Sequence, residues 1–137
     1  MDPVIQSFLT GFPILLLHLG VTLGMLAIAV AIYHLITPYH ELRLIRGGNT
    51  AAAVSFAGAI VGLAIPLALC MATSVNVWDI VVWGVVTLLI QLLAFRLGDA
   101  LLQDLPRRIE SDELGAAILV VGIKLAIALV NAAAVAG

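Results

Sequence analysis

From Phe12 to Ile36 the only strongly polar side chain before the last turn is His18. A run of that kind can cross a membrane, because a hydrocarbon core of ~30 Å needs only ~20 residues of α-helix. Three more apolar runs follow, from about Thr50 to Ala72, Trp78 to Leu97 and Leu114 to Ala136. A water-soluble fold of 137 residues could not hide four such segments. Only 10% of the residues are charged, against roughly 25% in soluble domains. The expected fold is an all-α membrane protein with four transmembrane helices, residues 1–137 forming a single integral membrane domain.

Two polar islands separate the runs. The first, Thr37 to Thr50, holds Arg43, Arg46 and the Gly47-Gly48 pair. Thr37-Pro38 reads as a helix start, with a hydroxyl at the N-cap and proline at the first helical position. The sequence therefore predicts a short interfacial helix over 38–46, with Glu41 in its first turn. Gly47-Gly48 ends it, and Asn49 is placed to cap the second span. In the second island, residues 98–113, Leu101, Leu102, Leu105 and Ile109 alternate with Asp99, Asp104, Arg107, Arg108 and Glu110. That predicts another interfacial helix, broken at Pro106. Ser111-Asp112-Glu113 then offers a cap and first-turn acids to the last span. Asn76 is placed to cap the third span, with Asp79 in its first turn. Residues 2–11 read as a separate interfacial helix opened by Pro3, and Met1-Asp2-Pro3 lacks the basic start of a secretory signal. Tyr33, Tyr39, Trp78 and Trp83 fall where an aromatic belt would lie.

A shift of 64 residues superimposes the halves. It pairs Gly20 with Gly84, Arg43 with Arg107, Ile45 with Ile109, Gly58 with Gly122 and Ala64 with Ala128. The order of span, basic island and span recurs, so the chain reads as two tandem two-helix repeats, about 12–72 and 77–136. Basic residues cluster in or beside the islands and are absent from the termini and from the turn Thr73 to Val77. The positive-inside rule puts both islands in the cytoplasm and both termini on the periplasmic side. Small residues mark packing faces: Gly20 and Gly24 with Ala27 and Ala31, Gly58 and Gly62 on the second span, and Gly84 on the third. Pro66 is expected to bend the second span.

No catalytic, cofactor-binding or metal site is expected. His18, His34, His40 and Cys70 have no metal-ligand spacing, and no nucleophile elbow, phosphate loop or dinucleotide fingerprint occurs. A net charge of −2 gives no footprint for nucleic acid. Cys70 reads as a small core or lipid-facing residue. Glu41 with Arg43 and Arg46 reads as a solvated face or an ion pair holding the island. Inside the spans, polar groups are costly and need partners. Gln91, at mid-depth in the third span, and Asn131, in the fourth, each have two readings: interhelical hydrogen bond or pathway lining. Gln91 shares a face with Gly84 and Thr87. Ser55 and Thr87 can bond their own backbone, and Lys124 can snorkel toward the cytoplasmic end.

The stretches Thr37-Pro38-x-x-Glu41, Leu44-Ile45-x-x-x-Asn49-Thr50-Ala51-Ala52, Ser55-Phe56-x-Gly58 and Ile65-Pro66-Leu67 resemble the YjfL-like inner-membrane family, domain of unknown function 350. So do Trp83-Gly84, Ile90-Gln91-Leu92-Leu93-x-Phe95 and Asn131-Ala132-Ala133 in the second half. The resemblance covers nearly the whole chain. It implies four spans built from a doubled two-span unit in the bacterial inner membrane, an envelope-associated role at most, and no catalytic residues to carry over. His18 and Lys124 lie outside the pattern. Two functions stay open. One is an oligomeric channel or small-solute or ion transporter, its small-residue faces suited to homo-oligomer assembly. The other is a non-transporting module whose basic islands hold membrane lipid and recruit a cytoplasmic protein partner.

Overall fold

The computed structural model describes residues 2–102 and 104–137. Among them the chain forms six helices and no strand: α1 (Pro3–Ile36), α2 (Glu41–Arg46), α3 (Thr50–Thr73), α4 (Val77–Leu101), α5 (Leu105–Glu110) and α6 (Leu114–Ala136). Helices α1, α3, α4 and α6 are long and apolar enough to cross a membrane. No break separates an N-terminal interfacial helix from the first span. Asp2 caps the whole of α1, its Oδ1 accepting the Val4 N–H at 2.9 Å, and Pro3 occupies the first turn, where its missing N–H costs nothing. With 34 residues, α1 is about 51 Å long at 1.5 Å per residue. Its first half stands clear of the other helices, with Val4, Phe8, Leu9 and Ile14 exposed.

The centre of the bundle is the pairing of α3 with α6, the most extensive helix contact. Glycine makes that approach possible. A Cβ added at Gly58 would lie 2.5 Å from Val121 Cγ2 of α6, and one at Gly62 would lie 3.7 Å from the Lys124 carbonyl of α6 and 2.7 Å from Phe95 Cζ of α4. Gly84 meets Met25 of α1 in the same way, at 2.5 Å from its Cε. Between spans in lipid such contacts stabilise through close van der Waals packing, since no water is expelled. Gly20 and Gly24 instead face open space on an exposed side of α1, and no helix of this protomer packs on them. The core has two parts. Tyr33, Leu63, Leu67 and Phe95 fill the middle, and Tyr39, Ala52, Leu105, Ile109 and Val120 lie under the islands.

The islands differ from the sequence reading in three ways, each with a local cause. Proline disfavours helix in the residue before it, so Thr37 is extended and ends α1. Its hydroxyl donates to the Tyr33 carbonyl at 2.5 Å, and α2 starts only at Glu41, with no side-chain cap from His40. Pro106 does not break a helix. It sits in the first turn of α5 and opens it. Finally, Asp112 does not cap α6: its Oδ1 accepts the Ala51 N–H of α3 at 2.8 Å, and Glu113, the N-cap of α6, makes no capping bond.

The two islands close alike. Gly48 (φ 90°) and Asp112 (φ 58°) are both left-handed and 64 residues apart. Asn49 N–H bonds Leu44 O and Glu113 N–H bonds Arg108 O, each at 2.9 Å, the return bond of a Schellman turn. The loops also hold each other. Asn49 Oδ1 caps α3 by accepting the Ala52 N–H at 2.8 Å, while its Nδ2 donates to Ile109 O of α5 at 2.7 Å. The first turn of α3 is thus capped from both islands, which fixes α2 and α5 over the same end of the bundle.

Candidate functional site

Helix α4 carries Thr87, Gln91, Phe95 and Asp99 at steps of four, so they form one stripe. Helix α6 faces it with Lys124 and Asn131, about two turns apart. Thr87, Gln91, Phe95 and Lys124 are fully buried, and Asp99 and Asn131 nearly so. The stripe has two stations.

The first station lies toward the end away from the islands. Asn131 Nδ2 donates to Gln91 Oε1 at 3.0 Å and to the Thr87 carbonyl at 3.3 Å, tying α6 to α4. Gln91 Nε2 and Thr87 Oγ1 remain buried without a partner. Thr87 therefore does not satisfy itself on its own backbone, as its sequence context suggested. Ser55 does not either, since its Oγ meets the Tyr39 hydroxyl at 3.3 Å. A cavity of about 560 Å³ is lined by Asp79, Trp83, Cys70, Thr87 and Asn131 among others.

The second station lies under the islands and centres on Lys124. Its side chain does not snorkel to water. Helical Cα–Cβ bonds tilt toward the helix N-terminus, which points Lys124 at the island end but stops it inside the bundle, at 0% exposure. There the ammonium donates to the Tyr33 hydroxyl at 3.1 Å and pairs with Asp99 Oδ1 at 3.3 Å. That second contact is an ion pair without hydrogen-bond alignment, so both Asp99 oxygens stay unbonded in the strict sense. The ammonium also lies 4.9 Å from the Tyr33 ring centre and 5.2 Å from that of Phe95, within cation–π range. Arg96, half-exposed, approaches the other Asp99 oxygen at 3.9 Å.

Glu41 completes the station. It is 1% exposed, so it is neither on a solvated face nor paired with Arg43 and Arg46, both of which point outward. Glu41 follows the turn at Pro38-Tyr39-His40, which aims its side chain back under α1. Its Oε1 accepts the Tyr33 hydroxyl at 2.6 Å, and its Oε2 is buried with no partner. Tyr33 and Tyr39 likewise leave the expected aromatic belt: both are buried, with their hydroxyls in these contacts. Burial pushes the Glu41 carboxyl up to about 7, against the lowering effects of the Tyr33 hydrogen bond and the Lys124 charge. Burial, and then the Glu41 charge, holds the Tyr39 phenol well above its ordinary range.

A model of the family described as Domain of Unknown Function (DUF350) matches residues 7–135. The chain belongs to this family. It is 42% identical over 72 residues to the UPF0719 inner membrane protein YjfL of Escherichia coli strain K12, and equally to that of strain O157:H7. The match covers 53% of this chain and 54% of each relative. The chain thus spans about half the length of the curated relatives it matches. No solved structure matches it. Family and helices together make the DUF350 protein a multi-pass integral protein of the inner membrane.

The polar stripe is not symmetric in this DUF350 chain. Positions 64 residues from Tyr33, Glu41, Asp99 and Lys124 hold Leu97, Leu105, Leu35 and Ile60. Leu105 is as buried on α5 as Glu41 is on α2. Asp99 and Tyr33 were missed as site residues by sequence reasoning. The signal was present: Asp99 continues the four-residue row from Thr87 and Gln91.

Proposed function

We propose that this protein is a non-enzymatic transporter of a small solute or ion, with its route along the seam between α4 and α6. The observation that supports this reading is the buried cluster of Lys124, Asp99, Tyr33 and Glu41 inside one protomer. Ionisable groups within spanning segments are expensive and mark ion or substrate routes. Such a cluster is a poor way to stabilise a fold, because an apolar replacement of similar volume is often neutral or better. At the other end Thr87 and Asn131 line the 560 Å³ cavity, and Gln91, held by Asn131, leaves its Nε2 buried and unmatched one shell behind them. In liposomes, the purified protein is expected to pass a small ion or solute. Gln91→Leu should reduce that flux at least tenfold while the protein stays folded, since only one interhelical hydrogen bond, roughly 0.6–2 kcal/mol, is lost. Unchanged flux in Gln91→Leu would remove this seam from the route.

The same reading treats the chain as a doubled two-helix unit. The 64-residue recurrence of helix bounds and closing turns supports this. It treats α2 and α5 as interfacial helices on the cytoplasmic side, with both termini periplasmic, because Arg43, Arg46, Arg107 and Arg108 all lie on the islands. Those arginines suit anionic headgroups. Single cysteines at Gly47 and Asn76, in a Cys70→Ala background, should label from opposite faces, Gly47 from the cytoplasm. Labelling of Gly47 from outside would reverse the orientation.

The small face of Gly20, Gly24, Ala27 and Ala31, unpartnered within the protomer, supports a homo-oligomer. The alternative function, a non-transporting module that recruits a cytoplasmic protein, draws on the outward arginines of the islands. It gives no role to the buried cluster, so transport is preferred.

A further inference from the structure

Within that transport reading, we infer that Glu41 is a reversible proton-binding site and that the proton is the ion to which transport is coupled. Two carboxylates, Glu41 and Asp99, face one fully buried ammonium, Lys124. Asp99 holds Lys124 directly, and Arg96 adds a half-exposed charge on its outer side. Glu41 reaches the ammonium only through the Tyr33 hydroxyl, so its own charge has no direct counterion. One proton on Glu41 leaves one buried carboxylate for one buried ammonium.

The geometry provides an atom for that proton. Glu41 Oε1 is occupied as an acceptor by Tyr33, whereas Oε2 is buried and free. The other groups facing this corner do not replace the missing counterion. Tyr39 is committed to Ser55 and keeps its proton, since its phenol is pushed up by burial. His34, partly buried on α1, stacks edge-on near His40, which is exposed and immediately precedes Glu41 on the water side. Arg43, on the same helix as Glu41, points outward. Burial also raises the Glu41 carboxyl into the neutral range, where a change in cytoplasmic pH can move it.

Binding the proton alters the balance around Lys124, since Tyr33 then bonds a neutral acid in place of a carboxylate. Through Tyr33 that change reaches Asp99 and Phe95, and so the stripe that continues to Gln91. The event is simple to balance: a hydronium from the island side gives its proton to Glu41 Oε2, and release reverses it.

Two measurements on the full chain in nanodiscs and liposomes test this. Infrared titration should show a buried carboxylic-acid band that grows as pH falls through the neutral range and is absent in Glu41→Gln. Its midpoint should move up by at least half a pH unit in Tyr33→Phe, because that hydrogen bond favours the ionised form. A purely structural Tyr33 would leave the midpoint in place. No such band in the wild type, or a band that survives in Glu41→Gln, overturns the site. In liposomes holding a pH dye, flux should carry protons in the wild type but not in Glu41→Gln. Flux without proton movement in the wild type overturns the coupling and leaves the transport reading standing. A titrating Glu41 in a protein that passes nothing overturns the transport reading and leaves the proton site standing.

Discussion

Lys124→Met should be the most damaging single substitution in the bundle. Methionine fills nearly the same volume, so the loss is not a cavity. The loss is of charge: Asp99, 8% exposed, keeps only the half-exposed Arg96 at 3.9 Å. Removing one partner of a buried pair costs about 3–5 kcal/mol, because the other charge is left uncompensated. Tyr33 loses the donor to its hydroxyl oxygen, and the faces of Tyr33 and Phe95 lose their cation. Thermal unfolding in detergent should show a large fall in the melting temperature. The informative variant is the double one. Lys124→Met with Asp99→Asn removes both charges, and most of the lost stability should return, since an apolar or neutral replacement of a whole buried pair is often close to neutral. Transport should stay absent. Full stability in Lys124→Met alone would mean that Asp99 does not depend on it and that the cluster is not the paired unit described here. Equal damage in the single and double variants would assign the role of Lys124 to packing, without charge.

The four spans could be read directly, because length and apolarity suffice to identify a membrane helix. The islands were legible as polar breaks at Gly47-Gly48 and around Pro106. Which end of each helix a residue serves was not. Thr37-Pro38 looks like a start, yet proline acts on the residue before it as well as on the residues after, and here it ends α1. Asp112 caps a helix 61 residues away, which no local rule could supply. Glu41 was the largest misreading. Next to Arg43 and Arg46 it looks like surface, and its burial follows only from the turn at Pro38-Tyr39-His40, which seats α2 on α3 with Glu41 reaching Tyr33 of α1. Gln91 and Asn131 were found as polar groups in apolar helices, but their being partners is tertiary information. Lys124 was visible at the same glance. Its length suggested escape to water, and only the positions of Tyr33, Phe95 and Asp99 show why it stays.

Glu41→Gln should make the protein more stable at alkaline pH and remove much of its pH dependence. Glutamine keeps an oxygen to accept the Tyr33 hydroxyl and has nothing to ionise. The sign follows from which state holds the proton. Glu41 titrates near 4.5 when the chain is unfolded and at about 7 in the fold. Between these values the native state binds more protons than the unfolded one, so stability falls as pH rises. The contribution is fully present below about 4.5, is lost progressively up to about 7, and is flat beyond. A shift of that size is worth ~3 kcal/mol between the ends of the window. Melting temperatures taken from pH 5 to pH 9 should therefore decline for the wild type across the lower part of the range and stay nearly level for Glu41→Gln, with the two curves furthest apart above neutral. Glu41→Leu, copying the residue at Leu105, tests whether the carboxyl has any structural use: it should also give a level curve and a folded protein. A wild-type curve that rises with pH through this window would reverse the sign, and Glu41 would then be held as a carboxylate by Lys124 through Tyr33.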